Sequence, residues 1–128
     1  MALGLNQTDL FFDEAQYWFW SLEPAFGYYS KPPLIAWIIG LSTSICGVSE
    51  FCVRLPSPLL HTATAIGVFV VGRQLYDTRT GVISYLVFAT LPGVSLSSVI
   101  ISTDVPLLMF WASALYAFVR LIETQETR

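Results

Sequence analysis

Four charged residues at the edges of apolar sequence carry the chemistry that this chain could do. Asp13 and Glu14 stand together inside an aromatic run, LFFDEAQYWFW, and Lys31 opens a Lys-Pro-Pro step. Asp104 separates two uncharged stretches, 80–103 and 105–119. A carboxylate held against apolar surface gains proton affinity, which is what a general base needs. A lysine in a dry site can stabilise an anion such as a departing phosphate. The competing reading makes the aromatic run a plain interfacial anchor, because Trp and Tyr collect where membrane meets water. The acids weigh against it, since an anchor gains nothing from negative charge at a lipid surface that is usually anionic.

The elements that must position these groups follow from composition. The chain has 128 residues, 55% hydrophobic and 12% charged, with six Lys plus Arg and nine Asp plus Glu. Soluble domains carry about 25% charged residues. That contrast excludes a water-soluble globule, a disordered chain and a nucleic-acid binder. Charge-free runs at 55–72, 80–103 and 105–119 approach the length of about 20 residues that a bilayer core requires. The expected fold is therefore an all-α integral membrane protein with three spans, about 51–76, 79–100 and 103–123. Residues 1–50 form a non-cytoplasmic first loop with juxtamembrane helices. Within it, 33–45 is short for a span and suits a helix at the membrane surface, a fourth span being the alternative.

Local signals agree. Pro32-Pro33 suits a helix start and Gly47 a helix end. Ser49 can cap the next helix, with Glu50 in its first turn. Pro56 and Pro58 predict a kink or restart, and Pro92-Gly93 a soft point late in the second span. Arg73, Arg79, Arg120 and Arg128 mark cytoplasmic segments, so Asp13, Glu14, Lys31 and Asp104 share the opposite face. His61 is an ionisable group inside a span and so a functional candidate. A neutral imidazole bonded to a neighbouring carbonyl is the simpler account. Cys46 and Cys52 lie on the outward side, where their separation permits a bridge without demanding one.

Four motifs occur in order: DEAQYWFW (13–20), GYYSKPPLIAW (27–37), Glu50 with Arg54-Leu55-Pro56, and STDVPLLMFW (102–111). Together they resemble the amino-terminal part of the family 39 glycosyltransferases, polytopic GT-C enzymes that use polyprenyl-phosphate sugars. These include protein O-mannosyltransferases and lipid A aminoarabinose transferases. The resemblance implies Asp13 as catalytic base, Lys31 beside the lipid phosphate, and Glu14, Tyr29 and Asp104 as substrate-binding residues. It leaves Arg54 with two readings, a phosphate contact or an ion pair with Glu50 one turn earlier. Where one branch of the family carries a metal-associated acid before the lysine, this chain has Ser30, so no metal and no cofactor is expected.

The implied reaction is an inverting transfer of a sugar from a polyprenyl-phosphate donor to a hydroxyl or phosphate on a lipid or protein. It takes place at the outer face of the inner (plasma) membrane. One base suffices because the phosphate already leaves readily, whereas glycosidases need two paired carboxylates. Family relatives run to several hundred residues with further spans, so the sequence reads as a fragment. The alternative is an inactive remnant or a small accessory membrane protein that packs against other helices.

Overall fold

The computed structural model describes residues 10–126. Every regular element among them is helical: α1 (Phe12–Ser21), α2 (Leu34–Cys46), α3 (Glu50–Arg54), α4 (Pro56–Leu75), α5 (Thr78–Thr90), α6 (Pro92–Ser97) and α7 (Asp104–Glu126). The all-α expectation is met. Two stretches, Glu50–Leu75 and Asp104–Gln125, are long and apolar enough to cross a bilayer. Only 28% and 22% of their apolar windows lie buried inside the chain, unlike the core helices of a soluble protein.

The remaining span departs from expectation. A single helix over 79–100 is replaced by α5 and α6, which meet at Leu91. Pro92 has no N–H to return to Phe88, and the residue before a proline is pushed out of the helical region. Leu91 accordingly closes α5 through its N–H to the carbonyls of Val87 (3.0 Å) and Phe88 (3.3 Å), then turns extended at ψ 129°. Pro92 restarts the chain at the first position of α6. The 56–58 prolines act more gently. Leu55 keeps helical angles between α3 and α4, so a restart costs the span no continuity.

Local chemistry sets the other ends. Gly47 terminates α2 at φ +91°, a backbone region that side chains disfavour. The Ser49 hydroxyl accepts from the Cys52 N–H at the start of α3. Cys46 and Cys52 are joined as a disulfide, with Cα atoms 6.1 Å apart, which ties α2 to α3. Asp77 caps α5 by accepting from the Thr80 N–H at 2.8 Å. Hydrogen bonds from Thr80 hold its carboxyl below the usual carboxylate range.

Helix α4 is central, packed along α5 and along α7. The α4–α5 approach depends on small residues. A Cβ on Gly81 would lie 2.8 Å from the Phe69 carbonyl oxygen and 3.0 Å from the Arg73 nitrogen. At the same end the Gln74 amide donates to the Glu123 carboxylate, joining α4 to α7. Arg73, Arg79 and Arg120 are thereby gathered at one end of the bundle.

At the opposite end a small core forms from Tyr17, Ile35, Ile39, Val53 and Ile101. Beside it lies an ion pair between Glu14, 0% exposed, and Arg54, 1% exposed. The Arg54 Nε donates to Oε1 (3.0 Å) and Oε2 (3.2 Å), and Nη2 donates to Oε2 at 2.8 Å. The same carboxylate accepts the Ile101 N–H at 3.1 Å and, at the start of α1, the Phe11 N–H at 3.1 Å. Arg54 thus pairs with an acid forty residues away in sequence, and not with Glu50 as one reading had it. Three separate segments meet on one carboxylate.

Two outcomes test this packing by thermal or denaturant unfolding in detergent. Glu14→Ala or Arg54→Ala strands a buried charge and should cost about 3–5 kcal/mol. Replacing both with apolar residues of similar volume should cost far less than the sum. Gly81→Ala forces α5 away from α4 and should destabilise by about 1–3 kcal/mol, while Gly27→Ala, which meets nothing within 4 Å, should be nearly neutral.

Candidate active site at one end of the bundle

Adjacent residues on a helix point about 100° apart, so Asp13 and Glu14 cannot both face the interior. In α1 the division is complete: Glu14 is buried and Asp13 is exposed. The Glu14 carboxylate, expected to bind substrate, is instead taken up by Arg54 and two backbone N–H groups. Its geometry is that of a positioning residue, fixing the rotation of α1 so that Asp13 turns outward. Asp13 is therefore a free-facing carboxylate on a helix whose orientation is set by its neighbour.

The loop after α1 is held from within. The Tyr28 hydroxyl accepts the Ala25 N–H (3.1 Å) and lies within hydrogen-bond distance of the carbonyls of Trp20 (2.8 Å) and Glu23 (2.9 Å). Its ring stacks on Trp20 with centroids 4.8 Å apart. From α2, Trp37 donates its indole N–H to the Ala25 carbonyl at 3.1 Å and meets the edge of Phe26. Tyr29 and Lys31 follow this scaffold, both exposed. Part of the aromatic run therefore orders the loop, a role that sequence reading did not assign to Tyr28 or Trp37. Both positions stand out in sequence only within the GYYSKPPLIAW motif, because their partners are backbone groups fixed by the fold.

Asp104 begins α7 and is exposed. It lines an apolar pocket of about 250 Å³, with Pro32, Leu34 and Ile35 on one wall and Thr103, Asp104 and Phe110 on another. The structure thus brings Asp104 to the Lys-Pro-Pro step. Asp13 is linked to the same region through Glu14 and Ile101, three residues before Asp104. Arg54 is placed differently. It lies inside the protein on Glu14, where it supports α1.

Taken singly, the exposed Asp13 carboxylate can accept a proton, the exposed Lys31 can hold an anion, and Asp104 stands at an apolar pocket that suits a lipid-like group. Among the described residues, no cluster of three His, Cys, Asp or Glu side chains is placed to hold a metal ion.

Comparison with known proteins supplies the family. The family described as dolichyl-phosphate-mannose-protein mannosyltransferase matches residues 30–128. Lipid A galacturonosyltransferase RgtD of Rhizobium johnstonii is 44% identical over 119 residues, which cover 92% of this chain and 25% of RgtD. The chain thus spans a quarter of the length of that curated relative. No solved structure matches. With three-quarters of its length inside the family match and a fold made of apolar helices, the chain belongs to the dolichyl-phosphate-mannose-protein mannosyltransferase family of membrane glycosyltransferases.

Proposed function

We propose that this chain is the acidic-loop module of a membrane glycosyltransferase that moves a sugar from a polyprenyl-phosphate donor to an acceptor hydroxyl, with inversion. The observation that carries the reading is the opposed fate of the acidic pair, Asp13 exposed and Glu14 buried on Arg54. Asp13 is the base. The acceptor oxygen attacks the anomeric carbon, its proton passes to Asp13, and the bond from that carbon to the phosphate oxygen breaks. Lys31 stabilises the charge that builds on the departing phosphate. Asp104 and the adjoining apolar pocket bind substrate beside the Lys-Pro-Pro step. The relative's action on lipid A supports a lipid acceptor over a protein one.

The reading includes a membrane orientation. Arg73, Arg79 and Arg120 gather at the end opposite the acidic loop, which supports a cytoplasmic position for them and an outward one for Asp13, Lys31 and Asp104. The second reading is an accessory membrane protein without catalysis, supported by the exposed apolar side chains of α7, Leu107, Phe110, Trp111 and Phe118, which suit packing against other helices.

Sugar transfer measured in lipid with a polyprenyl-phosphate donor separates the two. Asp13→Asn should lower kcat by about 10²–10⁴-fold while leaving membrane insertion intact. Unchanged transfer would remove Asp13 from the role of base. Lys31→Ala should raise the donor KM more than the acceptor KM, and an equal effect on both would exclude the phosphate contact. No transfer by the chain joined to the remaining spans of a family relative would favour the accessory reading.

A further inference from the structure

Between α6 and α7 the backbone leaves regular helix over residues 98–103, immediately before the apolar helix α7. Backbone polar groups released from a helix and shielded by packing need partners. The partners are specific. Ser57, fully buried on α4, donates through its hydroxyl to the carbonyls of Ser97 (2.7 Å) and Ile100 (3.0 Å). One turn further along α4, the His61 Nε2 lies 2.8 Å from the Ser97 hydroxyl oxygen. From the other side the Glu14 carboxylate accepts the Ile101 N–H. Residues 97–101 are therefore gripped from α4 and from α1, and Asp104 follows three residues later.

We infer that Ser57 and His61 are positioning residues that hold this broken segment, and through it place Asp104 against the Lys-Pro-Pro step. The effect on transfer rests on the glycosyltransferase reading; the clamp itself does not. The helical spacing of four residues puts both side chains on one face of α4. His61 acts through Ser97, since among the described residues its Nδ1 has no hydrogen-bond partner while Nε2 has one. A buried serine hydroxyl within reach of two carbonyls supplies a donor where the backbone breaks from helix. Neither residue touches the pocket that Asp104 lines.

The test reads geometry and transfer separately. Spin labels on cysteines introduced at Ser30 and Thr103 report the distance across the Asp104 pocket in the full chain in lipid. A control pair at Val70 and Phe118 reports α4–α7 packing away from the clamp. Ser57→Ala and His61→Leu should each broaden the 30–103 distance distribution and leave the control pair unchanged. His61→Gln, which keeps a side-chain hydrogen-bonding group toward Ser97, should restore the narrow distribution. Where transfer is measurable, Ser57→Ala should raise the donor KM by about tenfold with little change in kcat. A narrow 30–103 distribution in both Ser57→Ala and His61→Leu would overturn the inference, as would equal broadening of the control pair. Failure of transfer in the chain joined to the remaining spans of a family relative would count against the glycosyltransferase reading alone, and the label distances would still decide the clamp.

Discussion

A buried carboxylate that accepts from Nε and Nη2 of Arg54 and from the Phe11 and Ile101 N–H groups is the constraint on which this end of the molecule depends. Burying Glu14 without partners would cost several kcal/mol, and burying Arg54 alone would cost as much. Each is tolerable only because the other is present and because the Phe11 and Ile101 N–H groups occupy the remaining lone pairs. The arrangement therefore has one solution: α1 must lie with Glu14 facing α3, and the chain before α7 must pass close enough to donate from Ile101. Apolar packing alone would allow α1 to roll. The ion pair does not.

That restriction explains how two adjacent acids divide their work. The buried member spends its interactions on geometry, and the exposed member keeps a carboxylate free of the interior. A base on a surface helix is useful only if its direction is fixed, since a small misplacement of a reacting group costs much of its advantage. The aromatic scaffold of Trp20, Tyr28 and Trp37 does the same for the loop that carries Lys31. The Ser57 and His61 contacts extend it to the segment that carries Asp104.

Much of this was legible from sequence, for identifiable reasons. Charge-free length located α4 and α7, because bilayer thickness and helical rise leave little freedom in a long apolar run. Pro33, Gly47 and Ser49 marked helix ends that depend on backbone geometry alone. The second apolar run is divided into α5 and α6 at Leu91, where Pro92-Gly93 marks a soft point in the sequence, because hydropathy continues through Leu91 to Ile101 while Pro92 breaks the hydrogen-bond ladder. Of the two readings of Arg54, a phosphate contact or an i,i+4 pair with Glu50, local spacing supports only the second, yet the ion pair it forms is with Glu14, a contact made by tertiary folding. The Cys46–Cys52 bridge was an open alternative for the same kind of reason, since six residues across a glycine permit several separations.

The account stands on Asp13 facing the non-cytoplasmic side while Arg79 faces the cytoplasm. Single cysteines at these two positions, treated with a membrane-impermeant maleimide in sealed right-side-out vesicles, test it most directly. The account requires rapid labelling at position 13 and none at position 79 until the membrane is opened. Protection at 13 with labelling at 79 would contradict it.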